Sequence, residues 1–264
     1  ALIPYKTKEF LKLGKNHMSK LKKVIHILSE MEDAFVFLIC VLLFLIGLYA
    51  LIDSYLVYQH ANDTSLLKHK PGYEAEVDRE IVGNMVAWIS LEGTNIDYPV
   101  MQGINNEEYL NKDPYGDYSL SGSIFLDFRN QPDFTDSYSL IYGHHMEGNH
   151  MFGSLHSYLK EKFFNKHTKG ELIVGDTTYD LNIFAAMNTE ATDDLIFSPT
   201  TYKLQDIIDH IRKTSENYRK DVEEHLTEDA RIVALSTCKY PDSVYRVVVF
   251  AELTNPHPTK THDN

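Results

Sequence analysis

Cysteine is nearly absent from this 264-residue chain: there are two, Cys40 and Cys238. Cys40 sits in a long apolar run and Cys238 far down the chain, which excludes the disulfide framework of many small exported domains. Positive charge is also short, with 25 Lys and Arg against 38 Asp and Glu and a formal net charge of −13. Residues 1–33 carry seven lysines against Glu9, Glu30, Glu32 and Asp33, a net of +3, so residues 34–264 carry −16. So acidic a surface excludes nucleic acid as a partner, since affinity for it rests on neutralising phosphates. Anionic wall polymers would be repelled and cationic or amine-bearing partners attracted. There is no internal repeat and no low-complexity tract. An H-E-x-x-H metal motif and a papain-like C-G-[SA]-C-[WY] stretch are both missing. No metal and no cofactor is expected.

Charge vanishes altogether over residues 34–52, "AFVFLICVLLFLIGLYALI", which Asp33 and Asp53 bound. Nineteen such residues at a helical rise of about 1.5 Å span the roughly 30 Å hydrocarbon core of a bilayer. The apolar region of a cleaved signal peptide is shorter, about 7–15 residues, and precedes a small-residue cleavage site, which "DSYLVYQH" does not offer. An uncleaved transmembrane helix is therefore expected. Lys6, Lys8, Lys12, Lys15, Lys20, Lys22 and Lys23 all precede it, and no Lys or Arg falls between Asp53 and Leu67. By the positive-inside rule residues 1–33 stay in the cytoplasm and everything beyond the span is extracellular.

Residues 53–75 read as a polar linker with Pro71–Gly72 as a breaker pair. A short helix is expected over residues 77–82. Eight apolar runs rich in Val, Ile, Phe and Tyr then follow, at 85–91, 97–103, 122–128, 137–145, 170–176, 178–187, 231–238 and 245–253. The expectation is a mainly β domain, a closed or nearly closed barrel of eight strands with peripheral helices. Helices are expected at 150–160 and 203–218, the latter with Leu204, Ile207, Ile208 and Ile211 on one face. This second helix lies in a long insertion between the sixth and seventh strands. Such an insertion either builds a binding groove or covers a sheet edge.

Three residues fall at strand ends. His144 closes the fourth strand, Cys238 the seventh, and Arg246 opens the eighth after a six-residue connection in "ALSTCKYPDSVYRVVVF". A hairpin of the last two strands brings Cys238 and Arg246 to one end of the sheet. There a guanidinium stabilises a thiolate or a developing oxyanion, and a histidine supplies proton transfer for acyl transfer. Each residue also has a plainer reading. Cys238 is then a small buried filler, His144 a satisfied rim histidine, and Arg246 one half of a surface ion pair, for instance with Asp242. The cluster His144, His145 and His150 in "HHMEGNH" has the residue type of a metal site but no carboxylate at ligand spacing. An unpaired thiol in an exported domain invites oxidation, which weighs against the filler reading of Cys238.

"LSTC" closing an apolar strand, an Arg opening the next, and "YGHHM" upstream resemble the sortases, cysteine transpeptidases of Gram-positive cell surfaces. Residues 86–103, 122–130 and 139–155, and a helix before the cysteine strand, are similar to class B sortases. The resemblance covers residues 81–253. It implies an eight-stranded sortase barrel, with residues 76–254 as the catalytic domain, 255–264 as a polar tail, and His144, Cys238 and Arg246 as the catalytic trio. It further implies cleavage after a threonine of a C-terminal sorting motif and transfer to an amine, with sorting-motif-bearing surface proteins or pilins as partners. Ser236, Thr237 and Tyr240 are candidate substrate-binding residues. The Cys238–Arg246 connection is shorter than in wall-anchoring class B enzymes, and Tyr240 stands where those have an acid. Both features leave the acceptor open between a pilin lysine and a peptidoglycan cross-bridge. The alternatives are a cysteine endopeptidase without transfer, or a non-catalytic pilus or adhesin component. The polar ending "NPHPTKTHDN" counts against the latter, which would carry its own sorting signal.

Overall fold

A computed structural model describes residues 4–61, 64–73, 75–223, 226–227, 229–238 and 243–260. The chain divides into two compact units, Ala1–Leu56 and Val57–Asn264. The first is helical, formed by α1 (Pro4–Ala61), which runs unbroken for 58 residues and takes in the first nine residues of the expected linker. Within it Lys20–Leu56 is long and apolar enough to cross a membrane, and its most apolar stretch is wholly exposed. It is a candidate membrane span.

The second unit is a barrel. Its strands are β1 (Met85–Leu91), β2 (Asp97–Gln102), β3 (Ile124–Leu126), β4 (Tyr138–Tyr142), β5 (Lys169–Val174), β6 (Thr177–Glu190), β7 (Asn217–Tyr218), β8 (Ile232–Cys238) and β9 (Tyr245–Pro258). Eight of them form a ring in the order β5-β1-β2-β3-β4-β8-β9-β6, closed by pairing of β5 with β6. The two-residue β7 is appended to the flank of β6. Pairings are antiparallel except β2–β3 and β4–β8, which are parallel. The β5–β6 hairpin turns through Gly175 and Asp176. Gly175, at φ 54°, takes the left-handed first position that a two-residue turn of this kind needs.

Why the sequence shows apolar runs rather than alternation is explained by burial of both sheet faces. One cluster takes residues from all eight ring strands, among them Ile89, Val100, Leu126, Ile141, Leu172, Leu181, Leu235 and Val249, and so fills the barrel interior. The alternate residues Tyr138, Leu140, Ala234, Val248 and Phe250 form a second cluster outside it. That outer face is covered by the insertion after β6, which carries α3 (Asp194–Phe197) and α4 (Leu204–Thr214). Ile196, Ile207, Ile208 and Ile211 are the buried contributions of these helices. The expected helix therefore covers a sheet face rather than an edge. It stops at Thr214, so that Asn217 and Tyr218 can pair with Ala186 and Ala185.

Other elements differ from expectation. Residues 77–82 are not helical. Arg79 pairs with Asp117 at 2.8 Å and Val82 N–H bonds to Pro114 C=O, and both bonds tie the segment to a neighbouring turn. The helix expected over 150–160 is a 3-10 turn at Gly153–Leu159, followed after an extended Lys160 by α2 (Glu161–Lys166). A further short helix, α5 (Lys220–Glu223), was not anticipated. The last strand runs past residue 253 to Pro258 because β6 is long enough to pair with it down to Thr177.

Asn130, 3 % exposed, serves β4 from the side. Its Nδ2 donates to Asp136 Oδ2 (2.8 Å) and Tyr138 C=O (2.9 Å), and its Oδ1 accepts from Leu140 N–H (3.0 Å). Asn130→Ala leaves buried backbone groups unpaired and is expected to destabilise the domain by about 2 kcal/mol or more; urea unfolding measures it, and an unchanged midpoint would refute this role.

Candidate active site

Parallel pairing of β4 with β8 brings distant parts of the chain level with one another. Tyr142 is the register partner of Ser236, and Gly143 N–H continues the ladder to Ser236 C=O at 3.0 Å. The register ends there; His144 lies two residues beyond Tyr142, as Cys238 lies two beyond Ser236. On its other side Cys238 is paired with Arg246, the last register pair of β8 and β9. Cys238 and Arg246 thus stand at one end of β8 and β9, and the segment after β4 that carries His144 leaves the sheet at that same end. The hairpin expected between the last two strands is present. Its neighbour β4, which leads into His144, is the part that sequence spacing left undetermined.

Each flanking residue is held. Gly143 lets the chain leave β4: a Cβ there would lie 2.5 Å from Ile124 Cδ1 and 2.7 Å from the Phe152 ring. His144 C=O accepts from Phe152 N–H (3.0 Å), and its ring Nε2 lies 2.7 Å from Leu110 C=O. A carbonyl only accepts, so Nε2 carries the proton, and in the neutral ring Nδ1 holds the lone pair. Arg246 Nη1 donates to Ser243 C=O and Tyr245 C=O, which leaves Nε and Nη2 as further donors. Among the described residues Arg246 makes no ion pair; Asp242 lies outside them.

His144 and Arg246 line a cleft of about 310 Å³ with Asn106, Leu110, Phe125, Tyr142, Phe197, Ser236 and Thr237. Ser236 and Thr237 are buried, and among the described residues their hydroxyls have no hydrogen-bond partner. Tyr240 lies outside the described residues. The histidine cluster does not assemble around a cation: no group of three or more His, Cys, Asp or Glu converges among the described residues. His145 instead stacks on His156, ring centroids 4.3 Å apart.

Behind the cleft, Asp127 is fully buried. Arg129 reaches it through Nε (2.8 Å) and Nη2 (2.7 Å), Asn106 Nδ2 donates at 2.9 Å and the Tyr142 phenol at 3.1 Å. Burial by itself raises the carboxyl's pKa, but hydrogen bonds from Arg129 and Asn106, together with the Arg129 charge, outweigh it and hold the group below its ordinary value. Tyr142 is pushed well up, first by burial and then by the Asp127 charge, and stays a neutral donor. None of Asn106, Leu110, Asp127 and Phe197 was singled out from the sequence. The available signal was a carboxylate closing the apolar run "SIFLD", a residue type rarely buried without a partner.

A family model for the sortase domain matches residues 89–254. Sortase B of Staphylococcus aureus is 35 % identical over 191 residues, 70 % of this chain and 75 % of that protein. The crystal structure of a Streptococcus pyogenes class B sortase involved in pilus biogenesis is 43 % identical, covers 66 % of this chain and 94 % of its own, and superposes with a TM-score of 0.60. A Staphylococcus aureus sortase B–substrate complex gives 35 % identity and the same TM-score, over 66 % of this chain and 82 % of that one. The chain belongs to the sortase family of cysteine transpeptidases and is of the class B kind.

The Asp127 network has a pH signature. Its carboxyl is held low in the folded state, so the network stabilises the fold above the unfolded value of about 4, and that stabilisation is lost as pH falls through the folded value. Thermal unfolding of Asp127→Asn should therefore differ from wild type at neutral pH and converge with it in acid; a gap that widens on acidification would contradict this.

Proposed function

We propose that this is a membrane-anchored transpeptidase, with its N-terminus in the cytoplasm and its catalytic domain outside, that joins sorting-motif proteins to a lysine amine on a pilin. One observation supports the chemical part: Cys238 pairs with Arg246 across β8 and β9, and His144 and Arg246 line one cleft with Ser236 and Thr237. The Cys238 thiolate attacks the threonine carbonyl of the sorting motif. As the tetrahedral species collapses the C–N bond breaks, and His144 protonates the departing amine. Because Leu110 C=O engages Nε2, the nitrogen that exchanges this proton is Nδ1. The acceptor amine then gives a proton to His144, attacks the thioester and expels the Cys238 thiolate. Arg246 supplies Nε and Nη2 to the oxyanion while Nη1 stays anchored to its own turn. Ser236 and Thr237, whose hydroxyls have no partner among the described residues, meet the substrate backbone. Tyr240, which lies outside the described residues, is a candidate for the same role.

Three features favour the pilin lysine over a peptidoglycan amine. The connection between Cys238 and Arg246 is short. The charge of −16 beyond residue 33 draws in a lysine-presenting surface. And a relative 43 % identical in sequence is a class B sortase involved in pilus biogenesis.

The test is full-length protein in detergent with a sorting-peptide panel and two acceptors, lysine-bearing pilin domains and oligoglycine, with products read by mass. Ligation to the pilin lysine, weakening as salt rises, is expected. Ligation to oligoglycine alone would shift the acceptor to the wall, and hydrolysis without capture would make the enzyme an endopeptidase. Cys238→Ala should abolish both half-reactions. Arg246→Lys, which keeps charge but loses the planar donor fork, should lower kcat by about 10²-fold or more; near-wild-type kinetics would return Arg246 to a structural role.

A further inference from the structure

We propose that Asp127 is a positioning residue that sets the width of the substrate cleft, by joining three of its walls through one buried carboxylate. The inference rests on the reading of this cleft as the transpeptidase site. Asp127 is 0 % exposed, and neither it nor Arg129 lines the cleft. Its two carboxylate oxygens collect five donors: Arg129 backbone N–H, Nε and Nη2, Asn106 Nδ2, and the Tyr142 hydroxyl. Arg129 Nη2 also donates to Phe197 C=O at 2.7 Å.

Asn106, Tyr142 and Phe197 are all cleft-lining, and each comes from a different part of the chain. Asn106 lies in the loop after β2, Tyr142 ends β4, and Phe197 ends α3 in the insertion after β6. Among the described residues no hydrogen bond joins them directly; all three are linked through Asp127 and its arginine. The backbone of Asp127 is itself held, since Gln102 Nε2 donates to its C=O at 3.0 Å.

Stability alone is a poor account of such a cluster, because desolvating a buried ion pair offsets most of its attraction. Geometry is the better one. Two of the three walls, the loop bearing Asn106 and the one-turn helix bearing Phe197, have little regular structure of their own, and a loop gains fixed position only from what it is bonded to. The site is thus held by a group that never meets the substrate, as a second layer of hydrogen bonds holds a preorganised site.

The test compares wild type, Asp127→Asn and Arg129→Lys as full-length protein in detergent, by amide hydrogen exchange and by peptide kinetics. Loss of charge-assisted bonds should speed exchange of residues 105–110 and 194–198 by about tenfold or more, with the central residues of β8 and β9 unchanged. KM for the sorting peptide should rise by about tenfold while kcat stays within about threefold, as removal of binding alone requires. Alkylation of Cys238 by iodoacetamide should keep its wild-type rate. If Asp127→Asn does not fold, Arg129→Lys decides, since it retains a cation beside Asp127 but lacks the second arm that reaches Phe197. Unchanged exchange in both segments overturns the proposal, as does a fall in kcat at constant KM. A wild-type chain that turns over no sorting peptide would sink the transpeptidase reading instead, and the exchange data would then decide the positioning role alone.

Discussion

The parallel ladder between β4 and β8 is the constraint on which the site depends. It joins segments on either side of α2, β5, β6 and the whole helical insertion, and its register sets Tyr142, two residues before His144, against Ser236, two residues before Cys238. A slip of one residue would move every β8 side chain to the opposite face. Alternate residues of β8 face two different cores, Val233 and Leu235 the barrel interior and Ile232 and Ala234 the helix-covered face. Both cores would be disrupted by such a slip, so the apolar packing that stabilises the barrel also fixes the register of β4 against β8.

The helical insertion has two roles at two distances from the site. α4 is a packing element, its isoleucines closing the outer core over Phe184, Val248 and Phe250. α3 is one turn long and brings Phe197 to the cleft, with its carbonyl bound by Arg129. His210 on α4 reaches Asp193, just before α3, at 2.8 Å, and Asp193 also accepts from Thr189 of β6. The insertion is thereby tied to β6 on one side and to the Asp127 network on the other, and the groove inherits its shape from the core.

Charge is separated by function. The acidic surplus is spread over the solvated surface, where ion pairs such as Arg79–Asp117 are exposed and of small consequence. Beside the cleft one carboxylate is desolvated and saturated with donors, and the cation that opens β9 keeps donors to spare.

Much of this was legible in the sequence, and the remainder was unreadable for a definable reason. The absence of charge over residues 34–52 suffices to mark a candidate span, and all eight ring strands announce themselves by apolar, β-branched runs, because composition reports local burial. The strand-end positions of Cys238 and Arg246 are likewise local facts, whereas β4 ends at Tyr142, two residues short of His144. Which strands become neighbours is another matter. Strands are joined by backbone hydrogen bonds that every residue offers alike, so β4–β8 pairing has no signature in residue type. The same holds for the Leu110 carbonyl on His144 and for Asp127: a backbone acceptor is invisible in a sequence, and a buried carboxylate is recognisable only once the fold has gathered Arg129, Asn106 and Tyr142 around it.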